Sequence, residues 1–291
     1  MTYYNNTYIL EPTKFSYKIA DYFPQPKQGK VAVSLSGGME STLIARIAMD
    51  VYGADRVVLL YSDDMFTANN PEGNKNVLAN VTNASKLLNK ELIYCPFDTQ
   101  LHEKDKVTSM MNVNKMLAET YGIEFSMWGF TKLFFDVAEF KEDPTATHET
   151  VIERCYSDPE KYRSIIEEFH LPTGEFSEYV KDLDIPANVY TMLRFDAERT
   201  IKRPFKDLNK SEVVDLYKQL GYLDLVHQTR SCVTNATRED KHCGICFNCQ
   251  QRHDAFAKLE MEDFTPYISD QVKVARTRLE EKLKEKNEIY S

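Results

Sequence analysis

The sequence predicts an α/β protein with a parallel sheet, extended at its C-terminal end by a small subdomain organised around cysteine. Two patterns carry this: short β-branched runs alternate with helical ones through the first half of the chain, and four cysteines crowd together late in it. Strands separated by helices of this length form right-handed βαβ units, and such units build parallel sheets.

Taken in order, Lys30 to Ser34 reads as a buried strand. Glu40 to Tyr52 reads as the helix behind it, with Leu43, Ile44, Ile47, Ala48 and Val51 apolar and Gly53 as its C-terminal cap. Arg56 to Tyr61 follows as a second strand, Asn76 to Leu88 as a helix and Glu91 to Tyr94 as a third strand. Lys106 to Tyr121 then reads as a helix and Glu124 to Trp128 as a strand, with Gly129 immediately behind it. Residues 141–200 break the rhythm with 14 Asp and Glu against 7 Lys and Arg, and read as an acidic insertion or lid with short helices around Pro159 to Phe169 and Phe176 to Leu183. Ser211 to Leu220 is a capped amphipathic helix closed by Gly221. Asp270 to Glu288 is a charged helix with an apolar stripe, which suits a possible homodimer or docking on the chain's own surface.

At 291 residues, 42% hydrophobic and 28% charged, the chain has the composition of a globular protein. No run of about 18 apolar residues predicts a membrane span. The opening residues lack the pattern of a secretory signal, so a cytoplasmic location is expected. The net charge of −9 argues against a broad basic surface for nucleic acid, and no stable nucleic-acid partner is expected. Most of that charge sits in residues 141–200, so a local basic groove elsewhere stays open.

The segment VAVSLSGGMEST, Val31 to Thr42, runs from a strand through two glycines into a helix. Backbone amides at a helix N-terminus form an anion site, Gly37 and Gly38 let a phosphate approach, and Ser36, Ser41 and Thr42 add hydroxyl donors. No G-K-[ST] follows, so this is not a Walker loop. Cys232, Cys243, Cys246 and Cys249 stand as C-x10-C-x2-C-x2-C, a spacing that lets four thiolates close tetrahedrally on one Zn²⁺ and leaves no open position for catalysis. His242, beside them, is a possible substitute ligand. Cys95 and Cys155 read as small buried hydrophobes.

The glycine turn resembles the SGGxDS loop of the pyrophosphatase-loop ATPases, with Glu40 in place of Asp. The stretches RPFKDLNKSEVVDLYKQLGYLDLVHQTRSC and HCGICFNCQQRHDAF, together with that loop, resemble the 7-cyano-7-deazaguanine synthase family. The resemblance implies a Rossmann-like core of the adenine-nucleotide hydrolase type over residues 1–225, with a four-cysteine zinc subdomain and C-terminal helix over 226–291. It implies an ATP-dependent C–N ligase that adenylates 7-carboxy-7-deazaguanine, amidates it with ammonia and dehydrates the amide to the nitrile, releasing AMP and pyrophosphate. In that scheme Glu40 places Mg²⁺, Lys210 offsets phosphate charge, and Ser36, Gly37, Gly38, Ser41, Thr42, Tyr61 and Gly129 line the nucleotide site. The chain departs from the family after Tyr61, where Ser62, Asp63, Asp64 and Met65 follow, and after Gly129, where FTKLFFDVAEF stands in place of a short substrate loop. Adenylation of another acceptor and a non-catalytic zinc-stabilised relative are the competing readings.

Overall fold

The computed structural model describes residues 3–4, 7–8, 23–24, 26, 28–62, 71–95, 116–131, 143, 151, 154–155, 157–168, 201–232, 241–244 and 247–268. A two-residue antiparallel pair, β1 (Tyr3–Tyr4) and β2 (Thr7–Tyr8), stands apart from the main sheet. That sheet has five parallel strands: β3 (Lys30–Ser34), β4 (Val57–Ser62), β5 (Leu92–Cys95), β6 (Ile123–Trp128) and β7 (Ile201–Lys202). Their spatial order is β5-β4-β3-β6-β7. The chain therefore builds outward from β3 in one direction through β4 and β5, then crosses back to lay β6 on the other side of β3. This reversal is a topological switch point, and in open parallel sheets the crevice outside the strands' carboxyl ends at that point is where ligands bind.

Strand periodicity sorts the side chains between two faces. Val31, Val33, Val57, Leu59, Tyr61, Phe125 and Met127 join one core, while Ala32, Val58, Leu60, Cys95 and Ile123 join Leu117 on the opposite face. The larger core is roofed by α1 (Met39–Tyr52), which contributes Leu43, Ile44, Ile47 and Ala48, and by α2 (Pro71–Leu87), which contributes Val81 and Ala84. Gly53 ends α1 at φ +86, where its N–H donates to the Met49 carbonyl. The helix expected from Asn76 starts earlier, at Pro71, a residue whose fixed φ suits a first helical turn. Arg56 lies in a short 3-10 turn and not in the strand that follows. Of the acidic stretch, α3 (Arg163–Glu168) is described.

The capped helix appears as α4 (Lys210–Gln219). Asn209 Oδ1 accepts from the Glu212 N–H at 3.0 Å, and Glu212 Oε2 accepts from the Asn209 N–H at 2.7 Å, a reciprocal capping box. At its far end the Tyr222 N–H donates to the Tyr217 carbonyl and the Gly221 N–H to the Lys218 carbonyl, with Gly221 at φ +76. That is a Schellman motif, and glycine takes the left-handed turn without strain.

Two further helices, α5 (Leu223–Gln228) and α6 (Phe247–Lys258), were not expected from the sequence. α6 begins within the cysteine motif and packs on α4, so Ala255 and Phe256 share the core of Val213, Val214 and Tyr217. Among the described residues no helix is long and apolar enough to cross a membrane. The expected helices at Phe176 to Leu183 and Asp270 to Glu288, and most of that at Lys106 to Tyr121, lie outside the described residues.

Candidate functional site

The switch point places the glycine turn in the crevice. β3 delivers Ser36, Gly37 and Gly38, and α1 starts at Met39 with no side chain capping its amides among the described residues. The first N–H groups of a helix lack intrahelical partners, so this end is open to an anion. Gly37 sits at φ +78, and a Cβ there would stand 2.6 Å from backbone atoms of Asn80. Gly38 has an ordinary φ of −74, and a Cβ there would meet only Ser36 Oγ at 3.4 Å, Glu40 Oε2 at 3.5 Å and the Arg230 carbonyl at 3.8 Å. The two glycines thus differ: conformation and the Asn80 backbone fix the first, whereas the second has room for a small side chain. The Ser36 N–H donates to Ser41 Oγ at 3.1 Å, and the two hydroxyls lie 3.0 Å apart, so the turn is laced internally. Thr42 is fully buried, and its Oγ1 finds no hydrogen-bond partner among the described residues.

Lys210 Nζ lies 3.4 Å from Glu40 Oε1, and both side chains are largely buried at the mouth of the turn. Each is the product of a helix start: Glu40 in the first turn of α1, Lys210 at the first residue of α4. The fully buried Tyr217, two turns further along α4, ties that helix to the start of α1 by donating its hydroxyl to the Met39 carbonyl at 2.6 Å. Burial, and secondarily the Glu40 charge, push the Tyr217 phenol well above its ordinary value, so it stays a donor.

β6 closes the other side. A Cβ on Gly129 would stand 2.6 Å from Ser41 N and 2.9 Å from Ser41 Cα, so only glycine lets the end of β6 pass this close to α1. Trp128 beside it is buried and tilts against Phe130 at 5.7 Å. Tyr61, at the end of β4, is buried and stacks on the more exposed Tyr94 of β5 with centroids 5.9 Å apart. The loop residues, Glu40, Lys210 and Gly129 are brought together; Tyr61 stands one strand away.

Cys232, Cys243 and Cys249 are buried, none forms a disulfide among the described residues, and their sulfurs all lie within 4.8 Å of one another. The Cys243 and Cys249 sulfurs are 3.8 Å apart, too far for a disulfide and close to the ~3.8 Å that Zn–S bonds of about 2.3 Å impose in a tetrahedron. The Cys243 N–H points at Cys232 Sγ at 3.4 Å, the kind of contact that stabilises a thiolate. These residues fit a single metal ion. Cys246 lies outside the described residues, and His242 is not part of the group. Burial and the Arg252 guanidinium push the His242 ring down to about 3.

Arg252, on α6, falls within the cysteine-rich stretch HCGICFNCQQRHDAF, but the sequence assigns it no role. Its side chain is fully buried against the Asp263 carboxylate at 3.2 Å and donates to the Val226 carbonyl, the Thr229 carbonyl and Thr229 Oγ1. Burial alone would raise the Asp263 carboxyl. Arg252, with hydrogen bonds from Tyr267 and Thr265, holds it below its usual value. Asn80 and Tyr217 were also missed, because nothing in a lone Asn or an amphipathic helix marks a long-range bond.

The class of fold is thus a parallel α/β sheet with a glycine turn at its switch point and, beside it, a buried cysteine group that could hold a metal ion. Residues 174–260 match the family model described as "Queuosine biosynthesis protein QueC". The 7-cyano-7-deazaguanine synthase of Rickettsia canadensis (strain McKiel) is 33% identical over 92 residues, which are 31% of this chain and 39% of that protein. That of Parabacteroides distasonis is 36% identical over 98 residues, or 31% and 43%. The chain spans about two fifths of the length of the curated relatives it matches. Among solved structures, the U34-tRNA thiolase NcsA from Methanococcus maripaludis with its 4Fe-4S cluster matches at a TM-score of 0.35 and 13% identity, covering 91% of this chain and 76% of that one. A likeness at that level carries no functional weight.

Proposed function

We propose that the chain is an ATP-dependent ligase that adenylates 7-carboxy-7-deazaguanine in the cytoplasm and carries it, with ammonia, through the amide to the nitrile. The observation that supports this best is the meeting of Glu40 and Lys210 at the mouth of the glycine turn, with Nζ 3.4 Å from Oε1. A carboxylate is a poor electrophile. Attack of its oxygen on the α-phosphorus of ATP expels pyrophosphate and leaves an acyl adenylate. Ammonia then adds at the acyl carbon, AMP departs with the former carboxylate oxygen, and a proton is lost to give the amide. A second ATP activates the amide oxygen, and loss of AMP and the remaining nitrogen protons gives the nitrile.

In this reading the backbone of Ser36, Gly37 and Gly38 and the hydroxyl of Ser41 hold the pyrophosphate end, while Lys210 offsets charge on the leaving group. Magnesium, when bound, neutralises phosphate charge as a Lewis acid, and Glu40, whose Oε2 faces Gly38, is the residue suited to hold it. The cysteine group, completed by Cys246, holds one structural Zn²⁺. A closed set of four thiolates leaves no position for substrate, so this site supports fold and not chemistry.

The test is to incubate the protein with Mg-ATP, ammonium and 7-carboxy-7-deazaguanine, measure AMP and pyrophosphate, and weigh the product by mass spectrometry. An amide or nitrile supports the proposal. ATP cleavage with a different acceptor and no such product overturns the substrate, and absence of ATP cleavage favours a non-catalytic relative. Added tRNA should neither bind tightly nor stimulate ATP use.

A further inference from the structure

The cysteine group and the glycine turn are joined by one short strap. Residues 229–232 leave α5, and within them the Arg230 N–H donates to the Gly37 carbonyl at 2.9 Å. Two residues on, Cys232 supplies its sulfur to the cysteine group, while its carbonyl accepts from Asn80 Nδ2 at 3.3 Å. Asn80 is itself buried, and its backbone is the surface against which Gly37 rests, 2.6 Å from where a Cβ would stand. One residue of α2 thus touches a metal-ligand residue through its side chain and the phosphate turn through its main chain.

We propose that Asn80 is the positioning residue that couples the metal centre to the phosphate turn, so that metal retention and nucleotide binding support each other. This rests on the reading that the turn binds ATP and the cysteines hold a metal. With the metal in place, Cys232 is fixed, the strap holds Arg230 against Gly37, and Asn80 keeps both registered on α2. Coupling of this kind is reciprocal: whatever metal retention contributes to nucleotide affinity, bound nucleotide contributes to metal retention. Asn83, one turn along α2, makes a similar bond to the Gln228 carbonyl but touches neither Gly37 nor Cys232 in this way, which makes it the natural control.

The experiment uses the full chain as purified, with its metal content measured and Mg-ATP as the probe. In the unaltered protein, saturating Mg-ATP should slow extraction of the metal by a chromogenic zinc chelator several-fold. Asn80→Ala and Asn80→Asp should each weaken Mg-ATP binding about tenfold, the scale of one lost buried hydrogen bond, and erase the protection of the metal. Asn83→Ala should retain both. Equal extraction rates with and without nucleotide in the unaltered protein overturn the coupling, even if the Asn80 variants fail to fold. Variants that fold and keep the protection overturn the role of Asn80. A protein that holds no metal or binds no ATP instead sinks the functional reading itself, and the coupling with it.

Discussion

Tyr217 donates its hydroxyl to the carbonyl of Met39 at 2.6 Å across 178 residues of sequence, with the phenol fully buried. The bond ties the start of α1 to the last turns of α4, two turns beyond Lys210, whose side chain faces Glu40. Tyr217→Phe should therefore do more than remove one buried bond. Stability should fall by about 1 kcal/mol in denaturant unfolding, and AMP release should fall several-fold because Lys210 loses its register on Glu40. Full activity in the variant would mean that core packing alone sets how α4 sits on α1.

Substitutions at the paired glycines should separate. Gly37→Ala forces a methyl into Asn80 at a positive φ, so it should lower stability by about 1–3 kcal/mol as well as ATP cleavage. Gly38→Ala meets no close neighbour and should leave the unfolding midpoint nearly unchanged while still weakening ATP binding, since its methyl stands where phosphate must approach. Thermal melts run beside nucleotide titrations check both.

Lys210→Met should reduce AMP and pyrophosphate release on the order of a hundredfold, the scale for losing one charge-stabilising donor. Glu40→Ala should abolish magnesium-dependent turnover. Glu40→Asp retracts the carboxylate by one methylene from Lys210 and places the family's own residue in the turn, so activity should be kept or raised. A rate for Lys210→Met equal to that of the unaltered protein would remove Lys210 from the chemistry.

Asp263→Asn leaves the Arg252 charge buried without its partner, and should cost about 3 kcal/mol at neutral pH. The folded-state carboxyl of Asp263 is held below its usual value. Its contribution is therefore fully present above the ordinary carboxylate range near ~4 and is lost as pH falls through the lower, folded value. Unfolding measured from about pH 7 downward should show the two proteins converging in acid. A constant gap across that range would contradict the assignment.

Much of the sheet was legible because its signals are local. Val31 to Val33 and Val57 to Leu60 are apolar throughout and rich in β-branched valine, whichever face they meet, and glycines punctuate the helix ends at Gly53 and Gly221. The glycine turn was legible for the same reason, as strand, two glycines, hydroxyls and helix are contiguous. α6 was not, since FNCQQRHDAFAK carries few apolar residues and its burial comes from Arg252 and from contact with α4.

By itself the sequence determined which kinds of side chain were present, with two glycines between strand and helix, a run of closely spaced thiols, and a carboxylate and an amine at helix starts. Only the tertiary structure decided which of them meet. The reversal of strand order at β3 and β6 puts Gly129 against Ser41, and the packing of α4 on α1, with Tyr217 bonded to Met39, brings Lys210 to Glu40. The strap from Arg230 to Cys232 ties the cysteines to the turn through Asn80. Each is a contact between distant segments, set by packing of faces that the sequence specifies only as apolar. Local pattern can name the participants, but it cannot fix the register in which they pack.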